Sequence, residues 1–208
     1  MSDDEKTTGD PLGFLKLLPG SESIPVLEKA IDVPPGFLTS MWSEPSDAFL
    51  IVKAHAVFES LLNQLIESLL PAMKGFAWRL AMTGRASKPA FVRHIALLEP
   101  DELRFAEGLA EIRNRIAHVP RELAEYSLLK AAKTDEKLVS WLVAVSPESS
   151  FSKADHANVV RENPRLFFCL NSYFYMWRFS AQKAKARAMQ SGRTDELTDE
   201  LSDVWGPK

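Results

Sequence analysis

Leu109-Ala110-Glu111-Ile112-Arg113-Asn114-Arg115-Ile116-Ala117-His118 is the stretch whose reading decides the fold. Its apolar residues Leu109, Ile112 and Ile116, continued upstream by Leu103 and Ala106, recur at three- and four-residue intervals, the spacing of one helix face. Pro100 followed by Asp101 and Glu102 supplies a start, since proline fits a first turn and acids suit the positive helix end. Pro120 supplies the stop near His118, because the residue before a proline leaves helical geometry. The segment is therefore a helix that carries two arginines, an asparagine and a histidine close to its C-terminal end.

The same periodicity extends outward. Ser46-Asp47 caps a helix that runs to about Leu70 and halts before Pro71. A second helix is predicted over 72–82, ended by Thr83-Gly84, and a third from Pro89 to about Leu98. Residues 121–145 read as one or two helices, with a strand as the alternative over Leu138–Val145, which is rich in β-formers. A short helix is predicted from Ser152 or Asp155 to about Val160. Asn163-Pro164 opens a long one, Arg165 to about Met189. Residues 1–10 read as a disordered tail. Residues 11–45, broken by six prolines, read as an arm of one or two short helices laid over the core. The predicted fold is all-α: a helical domain over 46–190, an N-terminal arm, a long C-terminal helix and an acidic flexible tail over 191–208.

Composition narrows the function classes. The chain has 208 residues, 46% hydrophobic and 25% charged, ordinary for a globular protein able to bury a core without staples. A single cysteine, Cys169, excludes a disulfide framework or a cysteine-based zinc site within one chain. Set among Phe167, Phe168 and Leu170, it reads as a small buried hydrophobe. Met1–Asp10 lacks the pattern of a signal peptide. The longest apolar candidate, Ala48–Leu70, is interrupted by Lys53, His55, Glu59 and Glu67, so the expected location is the cytoplasm, without a membrane. The net charge of −3 supplies no global basic field, so any contact with nucleic acid must come from a local patch. Phe167, Phe168, Tyr173, Phe174, Tyr175, Trp177 and Phe179 fall on more than one face of the last helix, which fits a helix buried on most sides better than a base-stacking platform.

Asn114 and His118, four apart, share a helix face. Arg113 and His118, five apart, stand about 140° from each other around an ideal helix. They converge on one ligand if the helix frays at His118, or if a second copy brings its own pair into the same cleft. Such a cleft suits a phosphodiester. Histidine exchanges protons near neutrality, arginine forks onto phosphate oxygens, and Asn114 orients either by hydrogen bonding. Neither metal nor cofactor is needed when an RNA 2′-hydroxyl is the nucleophile; the products are a 2′,3′-cyclic phosphate and a 5′-hydroxyl. Arg115 and Arg121, with Arg93 and Arg104, are candidates for an RNA-binding patch. His55 and Glu59 share a face, but no third metal ligand accompanies them.

The Arg-x4-His pattern from Arg113 to His118, with a polar residue after the arginine, resembles the signature of the HEPN superfamily. Phe91–Leu103 followed by Ile112–His118 is similar to the mannitol operon repressor-like branch of that superfamily. His55–Glu59 with Leu61 and Leu62 resembles the first bundle helix, in which an acid often faces the motif. The resemblance covers about residues 46–120. It implies an antiparallel helical bundle, usually a homodimer, and in many members a metal-independent ribonuclease of toxin–antitoxin, abortive-infection or CRISPR systems. On that reading Arg113, Asn114 and His118 are catalytic, Glu59 supports them from behind, and an antitoxin or regulatory protein is a further partner. The alternative within the same superfamily is a non-catalytic regulator of transcription acting through protein contacts, in which Arg113 pairs inside the bundle, with Glu59 for example, and His118 packs at a helix end.

Overall fold

Helix-forming stretches separated by proline and glycine produce nine α-helices among the described residues. A computed structural model describes residues 23–85, 87–94, 97–118, 125–146 and 153–191. The helices are α1 (Ser23–Ile31), α2 (Phe37–Trp42), α3 (Asp47–Leu69), α4 (Lys88–His94), α5 (Pro100–His118), α6 (Leu128–Thr134), α7 (Glu136–Val145), α8 (Lys153–Glu162) and α9 (Pro164–Ser191). No strand occurs among the described residues; Ala81 and Ser87 form one isolated bridge. The fold is all-α. The expected tails, the first part of the arm and Arg121 lie outside the described residues.

Helix α9 packs along α3, and α3 packs against α5. At their junction Phe58 meets Phe105 edge-on at 4.8 Å and Phe179 at 5.4 Å, while Tyr175 stacks on Phe105 at 4.5 Å. Such geometries suit the ring quadrupole and add to the burial of large apolar surface. The aromatic residues of α9 thus go into the core: Phe168, Tyr173, Tyr175 and Phe179 are buried, and Phe167, Phe174 and Trp177 half-buried. Helix α3 is long and apolar enough to cross a membrane by length and composition, yet its apolar residues from Ala48 to Ile66 are mostly buried inside this bundle.

Two arginines of α9 fix where the other long helices begin. Arg165 reaches Asp47 at the first turn of α3 and the carbonyls of Trp42 and Glu44. Arg178 reaches Asp101 and donates from Nε to Glu102 Oε1 at 2.9 Å, at the first turn of α5. Glu102 also accepts from the backbone amide of Glu99 at 2.7 Å, half of a capping box. The arm is part of the core: Leu27, Ile31, Leu38 and Trp42 are buried, and Glu28 caps α2 by accepting from the amides of Gly36 and Leu38.

Two elements differ from the sequence reading. The helix predicted over 72–82 is replaced by two short 3₁₀ turns, Pro71–Met73 and Ala77–Arg79. Gly75 lies between them at φ 75°, a left-handed conformation that no α-helix continues through, and its amide donates to Glu67. The alternative strand over Leu138–Val145 is helical: Asp135 accepts from the amides of Lys137 and Leu138, and Leu138, Leu142 and Val145 bury one face. A cap and a favourable stripe outweigh the β-propensity of Val and Trp. The third helix begins one residue before Pro89, behind the Ser87 cap, and ends at His94.

Candidate functional site

Helix α5 delivers the Arg113–His118 segment, and it stays helical through His118. Arg113 is half-buried, with Nη1 donating to Asn114 Oδ1 at 3.1 Å. The amide of Asn114 reaches Thr83 Oγ1 at 3.5 Å, tying α5 to the loop that precedes α4. His118 is exposed at the helix end. Arg113 and His118 both lie on helical backbone, five positions apart along α5.

Behind this segment lies a polar cluster that sequence reasoning finds only in part. Lys88, the first residue of α4, has a completely buried side chain, and its Nζ donates to Glu59 Oε1 at 2.5 Å. Glu59 is 34% exposed, so the carboxylate reaches the edge of the cluster. His55, one turn earlier on α3, is 6% exposed and its Nε2 has no hydrogen-bond partner among the described residues. Burial holds the His55 pKa below the usual histidine value; Glu59 opposes this, while Arg113 and Lys88 reinforce it. Glu59, Lys88 and Arg113 are thus the charges that act on this imidazole.

The pairing inside the cluster decides its charge. Glu59 is taken by Lys88, not by Arg113. Among the described residues no carboxylate lies within ion-pair distance of the Arg113 guanidinium, while Lys88 and Glu59 cancel. The segment therefore presents a cation without a counter-charge, an arrangement that favours an anion. Lys88 lies 29 residues from Glu59 in the chain, and no local spacing announces the pair.

The other candidate cations are distributed differently. Arg115 donates to Asp135 at 2.6 Å, on the side of α5 that faces α7, and that hydrogen bond holds the Asp135 carboxyl below the usual range despite partial burial. Arg93 pairs with Glu107 at 2.7 Å. A groove of about 270 Å³ between α5 and α7 is lined by Gly108, Arg115, Asp135, Lys137 and Trp141 among others, and includes neither Arg113 nor His118. Its charges are of both signs, and its arginine is paired with Asp135, so the Arg113 segment is the better anion site. No group of three or more His, Cys, Asp or Glu comes together for a metal among the described residues. Cys169 is buried, and burial pushes its thiol up to about 12.

No protein-family model, no curated protein and no solved structure matches the chain.

Proposed function

We propose that the chain is a metal-independent endoribonuclease of the HEPN type, acting as a homodimer in the manner of a toxin or phage-defence effector. The observation that carries this reading is the uncompensated, half-buried Arg113 beside Asn114, on the helix that ends in the exposed His118. Because α5 stays helical through His118, a two-fold partner is the favoured route by which an Arg113 and a His118 meet on one phosphate. Bond by bond, the RNA 2′-oxygen attacks phosphorus while the P–O5′ bond breaks. A His118 imidazole accepts the 2′-hydroxyl proton, and an imidazolium returns one to the departing 5′-oxygen. Arg113 neutralises the charge that gathers on the non-bridging oxygens. Asn114 holds the Arg113 guanidinium; Glu59 and Lys88 form the wall behind it. The end groups test the step: RNA cut in EDTA should carry 2′,3′-cyclic phosphate and 5′-hydroxyl termini. Termini with 3′-hydroxyl and 5′-phosphate would contradict it.

A second reading, a non-catalytic regulator working through protein contacts, is favoured by the pairing of Arg93 with Glu107 and of Arg115 with Asp135. Those pairs remove two of the cations expected to flank the cleft. Under that reading wild-type protein leaves RNA intact and the Arg113 face binds an acidic protein surface.

A further inference from the structure

Between Glu67 and Glu99 the chain contains no aspartate or glutamate, yet five lysines and arginines: Lys74, Arg79, Arg85, Lys88 and Arg93. This occurs in a protein whose net charge is −3. Within that stretch, residues 74–85 form the link between α3 and α4, which holds the 3₁₀ turn Ala77–Arg79 and no α-helix. Lys88 is taken by Glu59 and Arg93 by Glu107. Lys74, Arg79 and Arg85 are exposed, with no carboxylate in ion-pair range among the described residues.

Two aromatic residues stand among those three cations. Phe76 is 47% exposed and Trp78 is 57% exposed, although most aromatic side chains of the described chain are buried or half-buried. Their exposure is built in. Ala77, between them, is fully buried, and Met82 is buried as well, so the link is pinned from beneath and its aromatic residues turn outward. The turn around Ala77–Arg79 has the 3₁₀ form, in which residues three apart align, so Arg79 falls on the same edge as Phe76. Gly75 and Gly84, both at positive φ, make the bends at either end. Exposed aromatic residues interleaved with unpaired cations on a fixed support are what a single nucleic-acid strand needs: π-faces for bases and charges for phosphates.

The link is fastened to the candidate site at two places. Thr83 accepts from Asn114, and Lys88, just beyond the link at the start of α4, pairs with Glu59. Trp78 and Thr83 are five positions apart, a Cα span of at most about 18 Å even if fully extended.

We propose that residues 74–85 form a platform for single-stranded RNA, with bases stacking on Trp78 and Phe76 and phosphates held by Lys74, Arg79 and Arg85, which leads the strand to Arg113. The ligand class rests on the ribonuclease reading; the surface itself does not. The test is the binding of a fluorescent 2′-O-methyl RNA of about 12 nucleotides, single-stranded or paired to its complement, to the full chain. The methyl group removes the nucleophile, so binding is read apart from cleavage. Trp78→Ala should weaken single-strand binding about five-fold or more, and Trp78→Phe should restore most of it. Arg79→Ala with Arg85→Ala should lower the slope of log affinity against log salt by about 1.4, roughly 0.7 for each phosphate that no longer meets a cation. The duplex should bind less tightly than the single strand. Unchanged affinity and salt slope in all of these variants, with helical content intact, would overturn the platform even if the protein cuts RNA. Binding that depends on Trp78 in a protein that never cuts RNA would retain the platform and overturn the nuclease. Loss of dimer mass in Trp78→Ala with RNA affinity unchanged would assign the aromatic residues to a second copy of the chain and overturn the platform.

Discussion

The Lys88 ammonium lies fully buried, 2.5 Å from an oxygen of Glu59, a carboxylate that is itself a third exposed. This pair links α3 to α4, closes the loop that carries Thr83 and its hydrogen bond from Asn114, and leaves Arg113 without a counter-charge among the described residues. It also makes the two partners unequal under mutation. Glu59→Gln strands a charge that has no access to water, whereas Lys88→Met removes the charge and leaves a carboxylate that water can reach. Urea unfolding should show Glu59→Gln to be the worse lesion, by about 3 kcal/mol relative to wild type, the lower end for breaking a buried pair because Glu59 is partly solvated. The Glu59→Gln, Lys88→Met double variant should regain much of that loss. Equal, small effects of the two single changes would mean that Lys88 is hydrated in solution.

His55 makes stability depend on pH. Its folded-state pKa is depressed, chiefly by burial, so in the window just below the ordinary value of 6.5 the unfolded chain binds a proton that the folded chain refuses. Stability is full above 6.5 and falls as pH drops through that window, with a slope of at most about 1.4 kcal/mol per pH unit for one group. The comparison that isolates it is wild type against His55→Phe between about pH 7.5 and about pH 5, a range that brackets ordinary histidine titration. The variant should show a flatter curve there. Parallel curves would mean that His55 titrates normally.

Gly108 is required by Trp141. A Cβ at position 108 would stand 2.1 Å from the indole Nε1, and that indole donates to the carbonyl of Arg104 at 3.1 Å and stacks on Phe105. Gly→Ala inside a helix normally stabilises by up to about 1 kcal/mol. Here it should destabilise by about 1–3 kcal/mol, because the ring must leave its place on α5. Placing Gly108→Ala in a Trp141→Ala background should reverse the sign. A stabilising Gly108→Ala in the wild-type background would show that α7 shifts at no cost.

On the proposed ribonuclease reading, the helicity of α5 through His118 calls for a dimer. Light scattering at micromolar concentration should return twice the chain mass of 23.3 kDa. Mixed Arg113→Ala and His118→Ala proteins, exchanged to equilibrium, should regain about a quarter of the wild-type sites if each site takes one residue from each chain, since half the dimers are mixed and each of those has one intact site. A single-chain mass, or no recovery on mixing, would contradict the composite site.

The helices most legible in the sequence are those whose boundaries are marked locally: Ser46 before α3, Pro100 before α5, Pro164 at the start of α9. Where a boundary depends on a glycine at positive φ, as at Gly75, apolar spacing over Ala72–Met82 imitates a helix. In Leu138–Val145 β-formers mask a capped helix whose stripe is equally regular. The candidate site is legible as far as it lies on one helix. Arg113, Asn114 and His118 announce themselves by spacing; Glu59, on another helix, enters only through the resemblance of His55–Glu59 to a bundle helix whose acid faces the motif. Lys88 does not, because its partner is 29 residues away and nothing in Ser87-Lys88-Pro89 indicates a buried ammonium. The aromatic link escapes a search for helical periodicity; the absence of acids from residue 68 to residue 98 is the signal that exposes it.

The most direct test of the central claim is cleavage of single-stranded RNA in EDTA by wild type, Arg113→Ala and His118→Ala, each verified by circular dichroism and thermal melting. The ribonuclease account predicts that wild type cuts, and that both variants keep the wild-type melting temperature within a few degrees while losing at least about a hundred-fold in rate, the usual contribution of a general acid–base or of a charge-stabilising donor. Intact RNA with wild type, or variants that unfold in place of losing activity, would contradict it and assign Arg113 and His118 to the structure of the bundle.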